Sequence, residues 1–253
     1  MDTIICKNCH HHFKGNYCSQ CGQSAATHVI NLHFIWHDIQ HGLLHMDKGI
    51  LFTIKEMFTR PGYAIKEFID GKRVRHFKPF SFILVLAGIC GFLYHYFHIN
   101  ILADKVQFDG QGAQVEALRR TLTLANDWMT SHYAIVTLFQ VPLLSIGTYL
   151  AFRKSGYNYM VHIVLNAYLS GPRLILHIII FPLYIYWNNT PVLVKTGKIL
   201  DFIWLVMVFW AFMQFFKPMK KRSVFWRTVL GLLIAAIIST GILLGSIYIG
   251  SKI

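Results

Sequence analysis

The chain has 253 residues, of which 55 % are hydrophobic, and it carries a net charge of +13. Only 14 % of its residues are charged, against about 25 % in a typical soluble domain, so the composition indicates an integral membrane protein. The positive charge alone would also suit a nucleic-acid-binding protein. Here, however, lysine and arginine flank apolar stretches, where they mark membrane topology, and we expect no nucleic-acid partner.

Four of the five cysteines form two C-x-x-C pairs close to the N-terminus, Cys6 with Cys9 and Cys18 with Cys21. Each pair can present two thiolates from a tight turn, and two pairs complete the tetrahedral shell of a structural zinc ion. Such a closed shell leaves no position for a substrate, so the zinc is expected to fold residues 1–24 into a ribbon and not to catalyse. Two disulfides or a redox pair would fit a module in the reducing cytoplasm less well.

Residues 25–78 carry apolar side chains at helical spacings of three and four, but their charges are too frequent for a membrane crossing. Leu51 and Met57 belong to the apolar stripe, whereas Glu56 belongs to the polar face. A helix of this kind, with aromatic residues on its apolar side, is typical of the membrane interface. The sequence TRPG interrupts the segment at residues 59–62. A basic ramp then leads into the first apolar stretch and is expected to meet anionic lipid head groups; it includes Lys72, Arg73 and Arg75.

Within this segment, HDIQHGLLH places His37, His41 and His45 at steps of four. Two histidines at this spacing can bind one ion from the same helical face, but each further step rotates the side chain by about 40°. With Asp38, these histidines are candidates for a second metal site. They could equally fill the polar face of an interfacial helix, or sense protons.

The run FIWHDIQHGLLHMDKGILFTIKEMFTRPGYAIKEFIDGKRVRHFKPFSF follows the cysteine pairs directly. It strongly resembles the bacterial membrane family catalogued as domain of unknown function 3667. Proteins of that family combine a cysteine knuckle, an H-D-x-x-H-G-x-x-H segment, a T-R-P-G turn, a G-K-R-x-R-x-F segment and several membrane spans. The resemblance covers the N-terminal third of the chain. It implies a bacterial membrane protein of this architecture, and it implies no activity, because the family has none assigned.

Five stretches are long and apolar enough to cross a bilayer, which predicts an all-α membrane fold for residues 79–253. The predicted spans are residues 79–97, 133–152, 161–187, 199–216 and 228–250, with a short helix near residues 115–128 in the loop after the first span. Lysine and arginine concentrate before the first span and in the second and fourth connections. This bias places the N-terminus in the cytoplasm and the C-terminus outside the bacterial inner membrane. The N-terminus lacks the apolar core of a signal peptide.

The third predicted span contains the sequence GPR, which ends at Arg173. A charge near the middle of a bilayer is costly, so Arg173 is expected to face a polar cavity, an acidic partner or a lipid phosphate. Asp201 is the only acidic residue within the five spans, and we hypothesise that the two side chains meet. Pro172 could also break this span into two half-helices.

The sequence contains no P-loop, dinucleotide fingerprint or Ser-His-Asp arrangement. We therefore expect a protein without enzymatic activity that binds, moves or organises a lipid-like or other membrane ligand. One alternative is a metal-dependent membrane enzyme acting on lipid through the spaced histidines. Another is a small-solute transporter that uses a broken third span around Arg173.

Overall fold

The computed structural model describes residues 3–27, 30–32, 49–100, 112–188 and 190–250, and this part of the chain is mostly helical. A small hairpin comes first, formed by β1 (Ile4–Ile5) and β2 (His12–Phe13). The helices are α1 (Ile50–Thr59), α2 (Pro61–Ile69), α3 (Pro79–Tyr96), α4 (Ala113–Ser131), α5 (Tyr133–Phe152), α6 (Tyr159–Tyr186), α7 (Pro191–Phe215) and α8 (Lys221–Gly250). The predicted all-α fold with a short cysteine ribbon is thus confirmed.

The ribbon is held against the loop between α2 and α3. Its two strands pair antiparallel, with Ile4 opposite Phe13. The buried side chain of Gln23 accepts hydrogen bonds from the backbone N–H groups of Arg73 and Val74, at 3.0 and 3.2 Å. One glutamine therefore fixes the ribbon to the helical part of the chain.

Two short helices, α1 and α2, form a collar between the ribbon and the long helices. Arg60 caps the C-terminus of α1, and Pro61 is the first residue of α2. A proline at this position costs no hydrogen bond, because the first N–H groups of a helix have no partner within it. Glu56, which the sequence places on the polar face, is instead buried and pairs with Arg60. Met57 is buried in the core, so part of the apolar stripe packs against protein. A position of this segment in the membrane interface stays a prediction.

Gly62 brings the collar into direct contact with α7. Its N–H donates a hydrogen bond to Gln214 Oε1 at 2.9 Å. A Cβ atom at this position would lie 2.6 Å from the backbone nitrogen of Phe215, which is closer than real Cβ contacts. The T-R-P-G turn thus ends in a residue that lets two backbones touch.

The long helices run back and forth between two ends of a bundle. At the end we call the ribbon end, Lys66 of α2 donates a hydrogen bond to Tyr157, next to the start of α6. At the opposite end, which we call the far end, Asn188 after α6 donates to the carbonyl of His98 after α3. Consequently α3, α6 and α8 run away from the ribbon end, and α5 and α7 run back.

Four helical segments in the described part of the chain are long and apolar enough to cross a membrane. They are Pro79–Tyr96, Tyr133–Ser155, Tyr159–Tyr186 and Lys221–Ile242. Helix α7, which covers the predicted span 199–216 except for its last residue, is not one of them, and Lys195, Lys198 and Asp201 lie in its first half. The predicted helix near residues 115–128 is present as α4.

Helix α6 is continuous through Pro172, so the alternative of two half-helices for the third span is wrong. Neighbouring helices supply hydrogen-bond donors around the proline: Trp204 Nε1 donates to the Leu169 carbonyl at 2.8 Å, and Cys90 Sγ donates to the Leu174 carbonyl at 3.6 Å. These two hydrogen bonds join α6 to α7 and α3 on either side of the proline. The adjacent Gly171 lets the ring of Phe82 pack against the helix backbone.

Candidate ligand site around Arg173 and the cysteine cluster

The four cysteines of the ribbon converge on one point. Their Sγ atoms all lie within 4.8 Å of one another, with 3.5 Å between Cys6 and Cys21 and 3.6 Å between Cys9 and Cys18. Thiolates bound to one tetrahedral zinc ion at about 2.3 Å stand about 3.8 Å apart. The cluster therefore has the donor set and the spacing to hold a metal ion.

The two cysteine turns have the same backbone geometry. In the first turn the N–H of His10 donates to the carbonyl of Cys6 at 2.9 Å, and in the second the N–H of Gly22 donates to the carbonyl of Cys18 at 2.8 Å. In both turns the residue that donates adopts the left-handed backbone conformation, with φ angles of 60° for His10 and 73° for Gly22. Glycine adopts this conformation freely, whereas His10 does so at a cost. The ribbon is thus shaped around its four sulfur atoms.

The candidate second metal site, formed by His37, Asp38, His41 and His45, lies outside the described residues. Both the metal-site interpretation and the interfacial-helix interpretation stay predictions. The same holds for the enzyme alternative, which depends on these histidines.

The basic ramp is partly engaged with the collar. Lys72 Nζ lies 3.8 Å from a carboxylate oxygen of Glu67, and the Arg73 guanidinium lies 5.3 Å from the centre of the Phe68 ring. Arg75 is exposed. Contact of these side chains with lipid head groups stays a prediction.

Arg173 and Asp201 meet, as hypothesised from the sequence. Asp201 Oδ1 accepts from Arg173 Nη2 at 2.9 Å and from Nε at 3.1 Å. The guanidinium also lies 5.4 Å from the centre of the Trp204 ring, within range of a cation–π interaction. Arg173 is therefore anchored to two residues of α7, and both charged side chains remain partly exposed.

These two charges line a cavity of about 430 Å³ in the far half of the bundle. Residues of α3, α4, α5, α6 and α7 form its wall, and we call it the polar cavity; its polar lining includes Tyr94, Tyr133, Gln140, Arg173, Lys198 and Asp201. Two cations face one carboxylate, so the cavity carries an excess positive charge. The aromatic and aliphatic remainder of the wall is typical of a small-molecule site.

A second cavity of about 370 Å³ adjoins the first and lies between α5, α6, α7 and α8. We call it the apolar cavity, since aliphatic and aromatic side chains form most of its wall, among them Leu144, Leu174, Trp204, Leu232 and Ala236. Both cavities are lined by Tyr133, Thr137, Gln140 and Arg173. The sequence analysis identified Arg173 and Asp201 as candidate site residues but not Gln140. A glutamine in the middle of an apolar span could have indicated a polar site there.

A buried polar cluster ties α5 to α6 nearer the ribbon end. Asn166 Nδ2 donates to Ser145 Oγ at 3.0 Å and to Thr148 Oγ1 at 2.9 Å. His162 Nδ1 lies 3.2 Å from Thr148 Oγ1. The geometry is that of side chains that hold two helices together within a bilayer.

Residues 47–91 match the family model described as "Protein of unknown function (DUF3667)". This match confirms the predicted family resemblance. The DUF3667 segment comprises the collar and most of α3, and the cysteine cluster and Arg173 lie outside it. The chain matches no curated protein and no solved structure.

The structure gives clear packing roles to several residues of the DUF3667 segment. Thr53 Oγ1 accepts from the N–H of Phe77 at 2.7 Å, and the Phe77 carbonyl accepts from Tyr168 Oη at 2.6 Å. Arg60 forms two hydrogen bonds of 3.2 Å with the carboxylate of Glu67, and these bonds raise the pKa of Arg60. The segment thus joins the collar to the start of α3 and to α6.

Proposed function

We propose that this chain is a bacterial inner-membrane protein that binds an anionic, lipid-like ligand at Arg173. The observation that carries the proposal is the ion pair of Arg173 and Asp201 at a cavity of about 430 Å³, whose wall includes three helices that are long and apolar enough to cross a membrane, α3, α5 and α6. Ionisable groups within a membrane-spanning helix are costly, and their presence commonly marks a ligand or ion site. A protein that only needed to fold could fill this space with apolar side chains.

The charge of the polar cavity supports an anion rather than a cation or a neutral solute. Lys198 and Arg173 face a single carboxylate, and the hydroxyl groups of Tyr94 and Tyr133 can donate hydrogen bonds to oxygen atoms of a ligand. Nε and Nη2 of Arg173 donate to Asp201, and Nη1, which has no acceptor among the described residues, suits an oxygen atom of a phosphate or a carboxylate. An anionic head group complements this set of donors.

For the topology, we propose five crossings with the N-terminus in the cytoplasm and the C-terminus outside. Helix α6 ends at the far end and α8 begins at the ribbon end, so α7 has to return between them for both to cross a membrane. The connection before α6 and the connection after α7 both lie at the ribbon end, and both are basic. The first contains Arg153 and Lys154, and the second contains Lys217 and Lys220. A cytoplasmic ribbon end satisfies the positive-inside rule.

We further propose that the metal of the ribbon is zinc and that it is structural. Four thiolates form a closed tetrahedral shell, and such a set supplies folding energy without an open catalytic position. In the reducing cytoplasm these cysteines stay available as ligands.

The test is lipid binding to purified protein, measured by native mass spectrometry with phosphatidylglycerol as the probe. Replacing Arg173 by glutamine is expected to weaken binding by about tenfold, because a charge-assisted contact is lost. Arg153, which is exposed at the ribbon end, provides the matched control as Arg153→Gln.

Because Arg173→Gln leaves Asp201 without its partner, the double variant R173Q/D201N separates folding from binding. Restored thermal stability with persistently weak binding supports the proposal. Equal affinity of wild type, Arg173→Gln and Arg153→Gln for phosphatidylglycerol would overturn it.

A further inference from the structure

We infer that the ligand is an anionic amphiphile with one hydrocarbon chain, whose head group lies in the polar cavity and whose chain lies in the apolar cavity. The inference rests on the proposed function, which by itself requires only that an anion binds at Arg173. It adds a second subsite and a chemical class of ligand.

The first observation is that the two cavities share one wall. Tyr133, Thr137 and Gln140 of α5, together with Arg173 of α6, line both of them. The arginine places a charged fork at the end of an aliphatic stem, so it can contact a polar and an apolar group of the same molecule. A single ligand that touches Arg173 is thereby in reach of both spaces.

The second observation is the order of the cavities along the bundle. The polar cavity includes Tyr184 near the end of α6 and Leu193 at the start of α7, so it lies at the far end. The apolar cavity extends along α5 from Tyr133 to Leu144, which corresponds to about 16 Å of helix towards the ribbon end. A lipid in the leaflet at the far end presents its head group and its chain in this same order.

The third observation concerns where the apolar cavity ends. Just beyond Leu144, α5 and α8 cross so closely that a Cβ on Gly147 would lie 2.8 Å from the backbone nitrogen of Ala235. This crossing leaves no room for a ligand between α5 and α8 and bounds the cavity there on the ribbon side. The space of about 370 Å³ is therefore short along these two helices, which suits one chain of limited length better than a pair of chains.

A fourth observation is that one side of the apolar cavity is exposed. Helix α5 packs against α3, α6 and α8, while α7 packs against α2, α6 and α8, and within the described residues α5 and α7 scarcely touch each other. Gln140, Ala236 and Ser239 line the apolar cavity and are exposed, so they lie at its rim. An amphiphile can enter here from the bilayer without first passing through water.

Other classes of ligand satisfy only half of this arrangement. A small hydrated anion would leave the apolar cavity without an occupant, and an uncharged lipid would leave the excess positive charge of Arg173 and Lys198 unmatched. An anionic amphiphile matches both the charge and the apolar wall.

The experiment compares two probes by native mass spectrometry: lysophosphatidylglycerol, which has one chain, and glycerophosphoglycerol, which is the same head group without a chain. Ala236→Phe fills the apolar cavity from an exposed position and leaves the helix crossing intact. Leu233→Phe adds a ring on the same helix at an exposed position that does not line the cavity, and it serves as the matched control.

We expect wild type to bind lysophosphatidylglycerol at least about tenfold more tightly than the head group alone. Ala236→Phe should remove this advantage and leave head-group binding unchanged, while Leu233→Phe should alter neither. If Ala236→Phe leaves the preference for lysophosphatidylglycerol intact, or if both probes bind wild type equally, the inference is wrong although the proposed function stands. If neither probe binds wild type, the proposed function itself fails.

Discussion

His76 makes the stability of the collar dependent on pH. Its side chain is buried at the end of the basic ramp, with ring centres of Phe52 and Phe68 at 5.3 and 6.1 Å. Its Nδ1 atom has no hydrogen-bond partner among the described residues. Burial lowers the pKa of His76 from 6.5 to about 4, the nearby Glu67 opposes this shift, and Arg60 adds to it. The folded protein therefore keeps this imidazole neutral.

The sign and size of the effect follow from proton linkage. Below pH 6.5 the unfolded chain binds a proton at His76 that the folded chain does not bind, so acid favours unfolding. With a pKa of about 4 in the folded state and 6.5 in the unfolded state, the free energy of unfolding falls by about 2 kcal/mol between pH 7 and pH 5. The loss continues until the pH approaches 4 and is absent above pH 7.

His76→Phe keeps an aromatic ring and removes the titrating group. Between pH 7 and pH 5 we expect its free energy of unfolding to fall by about 2 kcal/mol less than that of wild type. The assay is chemical unfolding in detergent at pH 7 and pH 5, monitored by tryptophan fluorescence. Acid release of metal from the ribbon affects both proteins and cancels in the comparison. The exposed His132, replaced as His132→Phe, controls for loss of a histidine as such. Equal losses in wild type and His76→Phe would refute the reasoning.

Three further outcomes are expected. Gly62→Ala should destabilise the protein by about 1 to 3 kcal/mol, because the new methyl group meets the backbone of α7. In the control variant Gly88→Ala the new methyl group has no atom within 4 Å, so thermal unfolding should show no such loss. Elemental analysis of purified wild type should find one zinc ion per chain. This zinc should be retained when His37, His41 and His45 are replaced by alanine, and it should be lost in Cys18→Ser. A second metal ion that is lost with the histidines would favour the enzyme alternative. Asn166→Leu should cost about 0.6 to 1.7 kcal/mol in unfolding assays, and an unchanged stability would show that its two hydrogen bonds are not needed.

Features with a local sequence signal were predictable. The stretch 133–152 is bounded by polar residues on both sides, and α5 has these same bounds. The four cysteines form their cluster because two C-x-x-C turns need little else to bring their sulfur atoms together. The contact between Arg173 and Asp201 could be anticipated because a charge in a span needs a partner, and the spans offer one carboxylate.

Features that depend on several helices at once were not predictable. Two half-helices were one alternative for the third span, but α6 is continuous through Pro172, and Trp204 and Cys90, which come from two other helices, donate hydrogen bonds to carbonyls on either side of the proline. The cavities are likewise invisible in the sequence, because five helices contribute to the polar cavity alone. Glu56 resembles a surface residue until Arg60, one turn later, folds back over it.

The match to DUF3667 carries information about the collar and not about the ligand. Within residues 47–91, Gly62 contacts α7, Arg60 binds Glu56 and Glu67, and Thr53 binds the backbone of Phe77. All of these interactions hold the collar together or fix it to the long helices. Arg173 and Asp201 lie outside the matched residues, so chains that share the collar need not share the charged pair. Evidence for the ligand has therefore to come from the cavities, where one arginine borders both a charged and an apolar space.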